Sequence, residues 1–98
     1  MLTIKKSEMN DVVTIALEGR LDTNTAPQLE AEIQGVSENA ALVIDLEKLE
    51  YVSSAGLRVL LFAQKKVAME GSLKLIHLCE AVTEIFEVTG FIDIFTIE

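Results

Sequence analysis

The segment Ala41-Leu42-Val43-Ile44-Asp45-Leu46 is an almost continuous apolar, β-branched run whose single charge is Asp45. It shows neither the strict alternation of a half-exposed strand nor the stripe of a surface helix. A short run of this kind reads as a strand covered on both faces by helices. It therefore predicts an α/β domain with residues 42–46 central in the sheet, and the flanking sequence has to supply the helices.

Upstream, Leu2 and Ile4 and then residues 12–17 form two short strand-like runs around Asn10-Asp11, whose turn chemistry suggests a hairpin. Gly19 reads as the end of the second strand. Thr25-Ala26-Pro27-Gln28 combines a capping residue, an early proline and a glutamine placed to return a capping bond, and Leu29, Ile33 and Val36 follow at helical spacing. A first helix is expected from Asn24 or Thr25. Downstream, residues 47–52 read as a loop, and Ser53 and Ser54 open a second helix running to about Glu70, with Gly71 placed to stop it. Residues 73–78 read as another buried strand, residues 80–89 as a third helix ended by Gly90, and residues 92–97 as a last short strand. The order ββαβαβαβ predicts a mixed central β-sheet flanked by helices. Leu42, Ile44, Leu60, Val67 and Leu75 fall on the core-facing positions of this pattern.

A chain of 98 residues, 50% of them hydrophobic, can bury one core but not two, so one domain over residues 1–98 is expected. No apolar run approaches the roughly 18 residues of a membrane span, and Lys5 and Lys6 lie inside an alternating pattern rather than ahead of an apolar block. No targeting segment is read, and a cytoplasmic protein is expected. A net charge of −8 opposes contact with nucleic acid phosphates or an anionic membrane. Positive charge gathers mainly in Arg58, Lys65 and Lys66, too sparse for a phosphate-tracking groove but sufficient for contacts to a protein. The single cysteine, Cys79, has no Cys or His at zinc spacing, and no metal or cofactor is expected.

Functional information concentrates where the central strand leads through Glu50-Tyr51-Val52 into Ser53-Ser54-Ala55-Gly56-Leu57-Arg58, since crevices at the carboxyl ends of strands are the usual sites in open α/β sheets. Together with Glu18-Gly19-Arg20-Leu21-Asp22-Thr23-Asn24-Thr25-Ala26, this segment resembles the STAS family, the sulfate transporter and anti-sigma factor antagonist domains. The resemblance covers nearly the whole chain in element order and is strongest to the stand-alone anti-sigma factor antagonists. It implies a STAS-like domain that binds an anti-sigma factor serine kinase and frees the sigma factor. It places Ser54 at the phosphorylated serine of the family motif and Asp22 at the family's acidic position. Ser53 stands where the antagonists usually carry aspartate, which keeps open the alternative of a STAS module that is never phosphorylated and serves as a fixed adaptor or small-ligand sensor. The partner contacts expected are Leu21, Asp22, Asn24, Thr25, Ser53, Ser54, Ala55 and Gly56 from these segments, with Arg58 and Phe62 from the outward face of the second helix.

Each residue also has a plainer role. Either serine can be the cap of the second helix, Asp22 can be a turn or capping acid, and Gly56 can serve close packing. His77 reads as a partly buried strand-end histidine and Cys79 as a small buried residue. Gly56, Leu60, Ala63 and Val67 share the inward face of the second helix, while Ser54, Arg58, Leu61, Phe62, Lys65 and Met69 gather on the other. An apolar strip among exposed charges marks a contact surface unless the first helix or self-association covers it. A serine hydrolase would need glycine two residues before Ser54, where the chain has Val52, so an enzyme is not expected.

Overall fold

Asn10 and Asp11 sit at φ 52° and 68°, the left-handed pair that a two-residue hairpin turn requires. In the computed structural model, which describes residues 1–98, this turn joins β1 (Leu2–Met9) to β2 (Val12–Leu21) with Met9 opposite Val12. The chain continues through α1 (Ala26–Gln34), β3 (Ala41–Val52), α2 (Ser54–Val67), β4 (Ser72–Ile76), α3 (Glu80–Thr89), a 3-10 turn (Phe91–Asp93) and β5 (Thr96–Ile97). The sheet order is β1-β2-β3-β4-β5, antiparallel in the hairpin and parallel thereafter, so β3 is central as expected.

The expectation that helices cover both faces of β3 is overturned. Leu42, Ile44 and Leu46 are buried, whereas Ala41, Val43 and Asp45 remain partly exposed. The same alternation holds in β2, where Val13, Ile15 and Leu17 are buried between half-exposed Thr14 and Ala16, and in β4, where Leu73 and Leu75 flank Lys74. The buried apolar side chains form one cluster on a single face of the sheet. Ala41 and Val43 are apolar without being covered because neighbouring strands, not a helix layer, shield their flanks. Leu42, Ile44, Leu60, Val67 and Leu75 are all exposed by 1% or less, as their periodicity predicts.

Residues 47–52 are not a loop. They continue β3, pairing Lys48 with Glu18, Leu49 with Gly19, Tyr51 with Arg20 and Val52 with Leu21. Register shifts near Glu18 and Gly19 space the buried residues Leu46, Leu49 and Val52 three apart, which hides the strand from an alternation test. Gly19 likewise lies inside β2 rather than at its end. Its φ of 110° favours glycine, and a side chain there would run into the Met1 carbonyl.

Helix starts match expectation, while some ends differ. α2 stops at Val67, short of Glu70, and Gly71 instead lies where any side chain would strike the Ala40 carbonyl. Gly90, at φ 79°, ends α3 as expected. β4 stops at Ile76 because His77 turns to φ 59°. In the last segment only Thr96 and Ile97 pair as a strand, since the 3-10 turn seats Phe95 against Phe86 with ring centroids 5.8 Å apart. No helix is long and apolar enough to cross a membrane.

Candidate functional site

The end of β3 delivers the chain to Ser53, whose extended backbone (φ −87°, ψ 174°) is that of a helix N-cap. Its hydroxyl accepts a hydrogen bond from the Gly56 amide at 3.2 Å, and its own amide donates to the Leu21 carbonyl at 2.8 Å. The choice between the two serines is thereby decided. Ser53 is the cap, and Ser54 is the first helical residue, exposed and without a side-chain hydrogen bond. Gly56 holds the first turn of α2 against β2, since a β-carbon there would lie 2.7 Å from Leu21 Cγ. The opening amides of a helix have no intrahelical acceptor, so the region around the free Ser54 hydroxyl carries partial positive charge.

The end of β2 approaches the same region through a different turn. Asp22 Oδ1 accepts from the amides of Asn24 at 3.0 Å and Thr25 at 3.1 Å. The Thr25 hydroxyl accepts from the Asp22 amide at 2.8 Å and donates to the Arg20 carbonyl at 2.9 Å. The capping exchange expected between Thr25 and Gln28 is therefore absent. Thr25 is the N-cap by position, but its hydroxyl faces back to Arg20 and Asp22, and the Asp22 carboxylate secures the turn instead.

Partial burial pushes the Asp22 carboxyl up, but hydrogen bonds from the Thr25 amide, the Thr25 hydroxyl and the Asn24 amide, with the N-terminal ammonium, outweigh it and hold the group below its usual range. A carboxyl lowered by folding stabilises the fold above its unfolded pKa and loses that contribution as pH falls through the folded value. Asp22→Ala should thus melt below wild type at neutral pH, with the difference shrinking on acidification. A gap that stays constant across acid melting curves would show that the charge does not matter.

The expected contact residues separate into layers. Leu21 and Thr25 are 0% and 8% exposed, and Gly56 is also buried, so these three support the surface and do not form it. The physical reason is the close seating of α2 on the end of β2. Asp22, Ser53 and Ala55 are half-exposed, while Asn24, Ser54, Arg58 and Phe62 are exposed. The last two, with Ala55, form one wall of a cleft of about 300 Å³, and Thr23, Pro27 and Glu30 form the other. Those three were not singled out from the sequence. Pro27 and Glu30, three residues apart on one side of α1, carry a spacing that could have found them, whereas Thr23 lies in the turn before the helix and gives no such signal.

The apolar strip expected on α2 is shorter than its periodicity suggested. Phe62 is 38% exposed, but Leu61 is half-buried, and Met69 lies beyond the helix end. α1 packs alongside, with Lys66 Nζ donating to the Gln34 carbonyl at 3.2 Å. His77 is exposed rather than partly buried, and its Nδ1 lies 3.1 Å from Asp45 Oδ1, a partner unconnected with Ser54. Cys79 is half-buried with Sγ 3.4 Å from the Leu49 carbonyl.

A family model described as Mlab, STAS domain, matches residues 4–96. The anti-sigma-B factor antagonist of Bacillus subtilis is 36% identical over 96 residues, spanning 96% of this chain and 86% of that protein. The crystal structure of an anti-sigma factor antagonist from Mycobacterium paratuberculosis superposes with a TM-score of 0.89 at 28% identity, covering 99% of this chain and 85% of that one. The Bacillus cell fate determinant SpoIIAA in its phosphorylated form shares the fold at 20% identity and a TM-score of 0.72, over 98% of this chain and 91% of that one.

Proposed function

The chain belongs to the STAS domain family, of the anti-sigma factor antagonist type, and from that premise we propose that it docks on an anti-sigma factor serine kinase through the surface around Ser54 and is switched off when that serine is phosphorylated. The observation that carries this reading is the division of labour between the serines. Ser53 caps the helix, so Ser54 is free to be modified without loss of a structural hydrogen bond. The protein acts as a binding module in the cytoplasm, and its role is regulatory rather than catalytic.

In the modification step the Ser54 hydroxyl oxygen bonds to the γ-phosphorus of ATP on the partner, the bond to ADP breaks, and the hydroxyl proton is released. The phosphoryl group adds about −1.5 to −2 charge. At the start of α2 the free amides and helix dipole accommodate that charge, so the fold persists while the surface changes. A partner pocket shaped for a neutral hydroxyl has to desolvate the charge, and the complex dissociates. Arg58, one turn further along, and Phe62 extend the docking surface along the cleft.

Incubating the protein with its co-purifying partner and ATP should add the mass of one phosphoryl group, abolished in Ser54→Ala and retained in Ser53→Ala. Transfer to Ser53 would shift the switch by one residue, and transfer to neither would leave an unswitched adaptor. Phe62→Ser should weaken partner capture while changing the melting temperature little, because an exposed side chain contributes little to the core. A variant that unfolds would assign Phe62 to the core instead.

A further inference from the structure

We propose that Asp45, Glu47 and His77 form a binding site for a divalent transition-metal ion of borderline softness, such as Zn²⁺ or Ni²⁺, on the uncovered face of the sheet. β3 and β4 run parallel with Asp45 beside Ile76, so the end of β4 lies next to the middle of β3. Asp45 and Glu47 are two residues apart on β3 and point to the same, open face, since the intervening Leu46 is buried. After Ile76 the backbone turns at His77 (φ 59°), and the ring faces Asp45. One donor atom from each of the three side chains lies within 4.8 Å of the other two.

Donors sharing one ion at about 2.0 to 2.2 Å, at angles between octahedral and tetrahedral, stand roughly 2.9 to 3.5 Å apart. The separation of 3.1 Å between His77 Nδ1 and Asp45 Oδ1 falls in that range. The Glu47 carboxylate is exposed and makes no ion pair, so it can rotate towards the same point. Lys5 and Lys48 line the adjoining cleft of about 180 Å³, yet neither forms a salt bridge with these carboxylates. Asp45 Oδ1 accepts the Glu47 amide at 3.0 Å and pairs with the His77 ring, a pairing the ion would replace, whereas the Glu47 carboxylate has no ion-pair partner, and the net charge of −8 favours a cation's approach. One imidazole nitrogen beside two carboxylates selects zinc, nickel or cobalt over magnesium and calcium, which prefer all-oxygen shells. Three protein donors leave coordination positions open to water or a small anion.

Asp45 lies seven residues along β3 from Val52, roughly 23 Å at the rise of a strand, so the site can be tested without the docking partner. Because His77 is the only histidine in the chain, any imidazole signal is assigned at once. Calorimetric titration of tag-free full-length protein with Ni²⁺ should give one ion per chain, with broadening of the His77 ring resonances. His77→Gln and Asp45→Asn should each weaken binding by about tenfold or more, while both variants keep the wild-type circular dichroism spectrum. Cys79→Ser should bind as wild type, and Mg²⁺ should bind far more weakly. Absence of stoichiometric binding overturns the proposal, as does wild-type affinity in His77→Gln, equal affinity for Mg²⁺, or loss of binding in Cys79→Ser.

Discussion

Ser54→Asp is expected to lower affinity for the anti-sigma partner by about tenfold or more while leaving the domain folded. The carboxylate enters at the first position of α2, where the helix dipole and unpaired amides tolerate negative charge. The Ser53 cap and its bond to the Gly56 amide are untouched. In the proposed complex the same charge would be buried opposite a surface that accepts a hydroxyl, and an unpaired buried charge commonly costs several kcal/mol. A tenfold loss needs only about 1.4 kcal/mol of that. Ser54→Ala should retain binding and resist phosphorylation, and since Ser54 is not the cap, no capping bond is lost. Titration calorimetry beside thermal melts separates the effects, and normal partner binding by a folded Ser54→Asp protein would remove the switch from the mechanism.

Leu60→Ala should be among the most destabilising single changes in α2. Leu60 is 0% exposed on the face that packs on the sheet, so truncation loses buried apolar area and leaves a cavity that the surrounding strands close only in part. The expected cost is about 2 to 5 kcal/mol. For a domain of this size that corresponds to a fall in melting temperature of roughly 10 °C or more. Phe62, two residues along the same helix, serves as the contrast, because its partly exposed side chain predicts a small change. Equal melting temperatures for wild type and Leu60→Ala would show that the inward face of α2 is assigned wrongly.

Features set by neighbours in the chain were legible in the sequence alone. Asn10-Asp11 announced the hairpin because its residues tolerate the left-handed backbone that the turn needs. The apolar period of α2 identified Leu60 and Val67 as core, and the run at residues 42–46 identified the central strand, because side-chain direction follows from position in a helix or strand. The order of elements and the serine-glycine segment were also enough to suggest the family. Tertiary structure decided the rest, through contacts between residues far apart in sequence. Whether a helix layer covers Val43 depends on where the crossovers pass, which an apolar run does not encode. Ser53 rather than Ser54 became the cap because the Leu21 carbonyl receives the Ser53 amide and Gly56 lets α2 settle on Leu21. That same seating buried Leu21 and Thr25, which sequence reasoning had placed on the surface. Asp45 and His77, 32 residues apart, meet only because β3 and β4 pair in parallel. Local propensity and period thus specify elements and the faces they bury, whereas caps, coverage and shared sites require the pairing of distant segments.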